Sequence, residues 1–185
     1  MCDKNMPKQT QKEYQKRLEK LNWLIEREFI PSELKKITGL SRRQIAEWDK
    51  KGILLSKKRK SSDTWSWRKF TGVNIIYLSI LSELRKAGLS PADFIDLVHW
   101  FRDFEEGMIK KIKTHIAKGN NIFIRTDLHD RFSLISETER KEDYVLILGQ
   151  KNYEYGKNKI TLQININSII HDIFRKINEK PIDAK

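Results

Sequence analysis

SRRQIAEWDKKGIL, residues 41–54, opens with a serine, two arginines and a glutamine, then runs as a short amphipathic segment that Gly52 stops. Ser41 suits an N-cap, because its hydroxyl can accept from a backbone N–H of the first turn. Gln44, three residues on, completes a capping box. The stretch therefore predicts a helix over 41–51. Ile45 and Trp48 lie three apart and point inward together, with Arg42, Arg43 and Ala46 on other faces. Two arginines in the first turn face the positive end of the helix dipole, where cations are disfavoured. A partner's negative charge offsets that, and DNA phosphates and base edges supply it. Arg42 and Arg43 can read guanine O6 and N7, and Gln44 can read adenine N6 and N7, in the major groove. Gln44 cannot serve fully as a cap and as a base reader at once. The competing reading is a solvated polar helix start.

Upstream, PSELKKI (31–37) predicts a short helix ended by Thr38-Gly39, with Gly39 suited to a left-handed cap. Helix, Gly-containing turn and helix make a helix-turn-helix pattern. Before it, Tyr14, Leu18, Leu21, Ile25 and Phe29 recur at spacings of three and four. They predict a helix over 8–29, with Glu13 and Arg17 as an i,i+4 pair. Downstream, SKKRKSSDTWS (56–66) is polar and basic without a helical stripe. Residues 54–70 read as a two-stranded hairpin, a wing with SSD near its tip. Lys57, Lys58, Arg59 and Lys60 are candidate phosphate contacts, blind to sequence and sensitive to salt; a solvated charge run is the competing reading.

A further helix begins at Thr71 or Gly72, carries Ile75, Leu78, Leu81 and Leu84, and closes at Gly88. Ser90 caps the next, with Pro91 at its first position, running from 91 towards 118. Its stripe is Leu97, Phe101, Phe104, Met108, Ile112 and Ile116. That stripe fits a dimer seam and packing inside its own chain equally well. Trp100, Phe101 and Phe104 could instead line a ligand pocket, with burial in the seam the stronger reading. After Gly119 the pattern alternates, with strands expected at 122–126, 132–136, 144–148 and 159–166, then a helix carrying Ile169, Ile170, Ile173, Phe174 and Ile177. The expected class is mainly α with a small α+β part. The expected units are an N-terminal helix (1–29), a winged helix-turn-helix (30–90), a long linking helix (91–118) and a C-terminal α+β domain with an antiparallel sheet (119–185).

Charge is concentrated at the front. Of a formal net charge of +12, residues 1–71 carry 19 Lys and Arg against 9 Asp and Glu, a balance of +10. A basic head on a near-neutral remainder is the footprint of a polyanion binder. The single cysteine, Cys2, excludes internal disulfides and cysteine-based metal or redox centres. Among the four histidines only Asp127-x-His129-Asp130 resembles a ligand cluster, and a polar loop explains it better, so no metal or cofactor is expected. No catalytic or phosphate-cradling motif occurs, so no enzyme is expected. No run has the length and apolarity of a membrane span, and MCDKNMPK is not a signal peptide, so a cytoplasmic protein is expected.

FIPSELKKITGLSRRQIAEWDKKGIL, then WSWRKFT, then LSELRKAGLSPADF together resemble the DNA-binding domain of MerR-type transcription regulators over residues 29 to about 98. Trp67-Arg68-Lys69-Phe70 stands at that family's aromatic-Arg-x-aromatic wing motif. Leu84 to Ser90 stands at its Leu-Arg-x-x-Gly-hydrophobic-Ser motif, and Trp48 to Leu54, ahead of the wing, matches its aromatic-acid-x-x-Gly-hydrophobic-Leu segment. The resemblance implies a winged helix-turn-helix that binds double-stranded DNA as a homodimer through a long helix, with Trp67, Arg68 and Lys69 joining the wing contacts and Arg68 gripping phosphate. Leu97, Phe101, Phe104, Met108 and Ile112 are then the candidate dimerisation residues. The chain departs from the pattern where the family has Arg then Tyr, at Ala46 and Glu47. Its C-terminal part matches no effector domain of the family, which leaves an effector or a protein as the expected partner there. The leading expectation is a sequence-specific, dimeric DNA-binding regulator. The second is a protein-interaction or assembly module with non-specific DNA binding or none, which Ala46 and Glu47 favour modestly.

Overall fold

The computed structural model of the chain describes residues 8–54, 69–92, 95–126, 132–136 and 162–178. Helix α1 (Lys8–Glu26) leads to a two-residue strand β1 (Glu28–Phe29), then α2 (Pro31–Thr38) and α3 (Arg42–Lys50). Strand β2 (Phe70–Thr71), α4 (Gly72–Lys86) and α5 (Ile95–Ala117) follow. Strands β3 (Ile122–Thr126), β4 (Phe132–Ser136) and β5 (Leu162–Asn165) and helix α6 (Ile166–Lys176) complete the order. The chain is mainly helical with small antiparallel sheets, as the periodicities imply. The hairpin expected over 54–70, with Lys57, Lys58, Arg59, Lys60, Trp67 and Arg68, lies outside the described residues except at its ends. The strand expected over 144–148 and the Asp127-x-His129-Asp130 cluster lie outside them entirely.

Three boundaries differ from the sequence reading. The first helix stops at Glu26 rather than 29, because Pro31 holds Ile30 extended (φ −90°, ψ 161°) and the chain straightens before it. Phe29 then enters the core fully buried, and β1 pairs antiparallel with β2, Glu28 opposite Thr71 and Phe29 opposite Phe70. The helix expected from Pro91 begins at Ile95. Pro91 and Ala92 form a turn, a position that proline's fixed φ suits as well as a helix start. Ile166, read as the end of a strand, is the first residue of α6, since Asn165 caps that helix by accepting from the Ser168 N–H at 3.2 Å.

β3 is central in the larger sheet, in the order β4-β3-β5, with Ile124 opposite Leu134 on one side and Ile164 on the other. Among the described residues, one hydrophobic cluster draws on each of the helices α1 to α6, from Leu21 and Leu24 of α1 to Ile173 and Phe174 of α6. α1 packs along α5, and α6 packs against α2 and α4. The C-terminal helix is thereby docked on the helix-turn-helix. Lys176 Nζ donates to the Ile37 carbonyl at 2.6 Å, and Trp23 stacks on Phe174 with ring centroids 6.0 Å apart. Leu97, Phe101, Met108 and Ile112 are 0 to 4% exposed within the single chain. In this arrangement those four side chains pack within the chain's own core. Phe104 lies on the same helix.

Candidate nucleic-acid interface

Helix α3 is held from three sides, and each hold follows from a local feature of the sequence. At its start the capping box is closed in both directions. Gln44 N–H donates to Ser41 Oγ at 3.2 Å, and Ser41 N–H donates to Gln44 Oε1 at 2.8 Å. The turn before it is set by Gly39 at φ 72°, where a side chain would be strained. Thr38 hydroxyl donates to Leu34 O at 2.8 Å and accepts from the Leu40 N–H at 3.2 Å, and Ser82 of α4 donates to Thr38 O at 2.7 Å. That last bond ties the turn between α2 and α3 to the core. Through the middle, Ile45 and Trp48 are buried as one face.

The exit is clamped as firmly. Gly52 takes φ 70°, its N–H donates to Asp49 O at 3.0 Å, and the Ile53 N–H donates to Trp48 O at 2.9 Å. Tyr77 of α4 donates its hydroxyl to Ile53 O at 2.8 Å, and Arg102 of α5 donates to Gly52 O at 2.9 Å. Burial pushes the Tyr77 phenol far above its ordinary value, so it stays protonated and able to donate. α3 is therefore capped at its start, buried along its inner face and held at its exit by hydrogen bonds from α4 and α5.

The outer surface of α2 and α3 is basic. Lys35, Lys36, Arg42, Arg43, Lys50 and Lys51 are all exposed. Arg42 and Arg43 stand in the first turn of α3 and make no ion pair among the described residues. Lys51 is engaged, 3.0 Å from Glu47 Oε1, and that contact, with help from Arg85 and Arg43, holds the Glu47 carboxyl below its usual range. The acid that replaces the family's tyrosine is thus charged and partnered, and it withdraws one lysine from the basic face. Gln44 is only half exposed and spends its Oε1 on the cap. Bidentate adenine recognition needs that same oxygen as acceptor, so in this conformation only Nε2 is left to donate. Lys69 pairs with the Glu28 carboxylate across the β1–β2 ribbon, and both side chains are exposed. Trp48 is fully buried, as its inward-facing position beside Ile45 implies. Sequence reasoning did not single out Tyr77, Ser82 or Arg102 as positioning residues.

Among the described residues no helix is long and apolar enough to cross a membrane. No group of three or more His, Cys, Asp or Glu side chains among them is placed to hold a metal. No curated protein matches the chain. The family model described as MerR HTH family regulatory protein matches residues 31–99, which span α2, α3, β2, α4 and the start of α5. Over residues 31–99 the chain is therefore similar to the MerR HTH family regulatory domain, a DNA-binding domain of transcription regulators.

Proposed function

We propose that this chain is a sequence-specific transcription regulator that inserts the N-terminal turn of α3 into the major groove, with Arg42 and Arg43 as the base-reading pair. The observation that carries the reading is the pair itself. Two exposed guanidiniums that form no salt bridge among the described residues sit at the positive end of a helix held by its cap, its buried face and its exit. A phosphate or a guanine edge reverses the unfavourable electrostatics of that end. Lys57, Lys58, Arg59, Lys60, Trp67, Arg68 and Lys69 hold the flanking backbone in this proposal, and Lys69 exchanges its Glu28 partner for phosphate. Gln44 acts first as the cap that aims the arginines.

The proposal includes two chains per site. One nine-residue helix reads few base pairs from its first turn, and two heads on an inverted repeat supply the missing discrimination. Because Leu97, Phe101, Met108 and Ile112 are occupied inside the chain, the two copies meet through other surfaces or after α5 releases them. Selection from random duplex DNA by the purified protein, at about 150 mM salt where non-specific phosphate binding is weak, tests both parts. An enriched inverted repeat is expected. Retention on DNA only at low salt, with no enriched sequence, would leave a phosphate clamp and favour the assembly module.

A further inference from the structure

The turn that leads into α3 is held in part from outside the matched residues. The last four carbonyls of a helix have no donor within it, and in α2 they belong to Lys35 through Thr38. Lys35 O accepts from the Gly39 N–H at 2.9 Å, and Thr38 O accepts from the Ser82 hydroxyl of α4 at 2.7 Å. Ile37 O accepts from Lys176 Nζ of α6 at 2.6 Å. The first two donors lie within residues 31–99, whereas Lys176 lies in a helix that the family model does not reach. An ammonium suits that place on two counts. Its bond to the carbonyl is charge-assisted, and its charge faces the negative end of the α2 dipole.

The rest of α6 brings Lys176 there. Ile169, Ile170, Ile173 and Phe174 are buried, and they pack the helix against α2 and α4. Asp172, one turn earlier, stands 3.7 Å from the Lys176 ammonium. Ile37 and Thr38 on one side and Ile173 and Lys176 on the other line a common opening of about 340 Å³. Apolar packing alone therefore does not close this corner, and the Lys176 bond joins its two sides. Only Gly39, Leu40 and Ser41 separate the bonded end of α2 from Arg42. Paired contacts to guanine O6 and N7 need their donors placed to within about 0.5 Å. We infer that Lys176 is a positioning residue for DNA reading: its bond to the Ile37 carbonyl sets the entry of α3, and through it the C-terminal unit fixes where Arg42 and Arg43 point. The inference rests on the base-reading proposal for α3 and adds to it a determinant of specificity outside the helix-turn-helix.

The test compares the full-length parent, Lys176→Met and Lys176→Arg. Affinity for the selected duplex and for a scrambled duplex is measured over a salt series, with melting temperatures and nitrogen-15 spectra alongside. Methionine keeps the apolar stem and removes the donor and the charge. Lys176→Met is expected to bind the selected duplex about three- to ten-fold more weakly and the scrambled duplex nearly as the parent does. The amide signals of Gly39, Leu40 and Arg42 should move in that variant. Lys176→Arg, which keeps a cation with N–H donors, should recover most of the loss. A lower melting temperature in Lys176→Met with unchanged discrimination between the duplexes would mean a structural role only and overturn the inference. An equal loss on both duplexes with a shallower salt dependence would mean that Lys176 touches phosphate itself, and overturns it too. So does a Lys176→Arg variant that binds as poorly as Lys176→Met. These results leave the base-reading proposal standing, because the parent still discriminates. A parent for which selection enriches no sequence overturns both.

Discussion

Replacing Tyr77 by phenylalanine isolates the clamp at the exit of α3. The ring is fully buried and packs edge-on against Phe101, with centroids 4.9 Å apart, so phenylalanine keeps the packing and removes only the hydroxyl. That hydroxyl donates to Ile53 O at 2.8 Å, and Ile53 is itself 1% exposed. Stranding a buried carbonyl costs about 1–3 kcal/mol. Taking about 2 kcal/mol, a chain of this size should melt about 4–8 °C lower. The pH dependence adds a second signature. Burial raises the folded phenol far above its ordinary value, against a smaller opposing pull from Arg102. The unfolded chain therefore releases this proton above about pH 10 while the folded chain retains it. The contribution is fully present below that pH and declines as pH rises through it. The stability gap between parent and Tyr77→Phe should accordingly be constant from neutral pH to about pH 9 and shrink above about pH 10. Thermal melts by circular dichroism across that range read both effects. A melting temperature within about 1 °C of the parent at neutral pH would refute the clamp, because no stranded carbonyl would then exist.

The two glycines at opposite extremes of packing make a paired prediction. A Cβ on Gly72 would stand 1.7 Å from Leu24 O and 2.6 Å from Leu24 C, both backbone, so Gly72→Ala must push α1 off α4 and should cost about 3 kcal/mol or more in urea unfolding. Gly107 sits in the middle of α5, and a methyl added there would meet nothing within 4 Å, so Gly107→Ala should stabilise by about 0.5–1 kcal/mol in the same assay. Ser41→Ala removes the α3 cap and should cost about 1 kcal/mol, and it should also weaken DNA binding by loosening the turn that carries Arg42 and Arg43.

Local chemistry was legible in the sequence, and long-range partnership was not. The Ser41 and Gln44 box, the Gly39 turn, the Ile45 and Trp48 face and the Thr71 start of α4 are all written within four residues of each other, where side chain and backbone geometry are tightly linked. The β1–β2 ribbon joins two-residue strands about forty positions apart, too short for any alternation to register. The stripe of α5 was visible as a stripe, but periodicity does not name the surface that covers it, and α1 and the sheet cover it here. The same limit hid the burial of Gln163. Ile164 and its alternating neighbours announce one apolar face of β5, and nothing local indicates that Gln163, on the other face, is covered as well once α6 folds back onto α2 and α4. Of the interface, Arg42 and Arg43 were evident as an anomaly of charge against dipole. The engagement of Lys51 by Glu47 and of Lys69 by Glu28 needed the structure.

The most direct test of the central claim is the affinity of the parent, Arg42→Ala and Arg43→Ala for the selected duplex and for a scrambled duplex, measured by fluorescence anisotropy over a salt series. Both arginines are exposed, so either variant folds as the parent does. Base reading predicts a loss of about 1–3 kcal/mol on the selected duplex for each variant, with a much smaller loss on the scrambled one. Equal affinity of parent and both variants for the selected duplex, or equal losses on the two duplexes, would contradict a base-reading role for the first turn of α3.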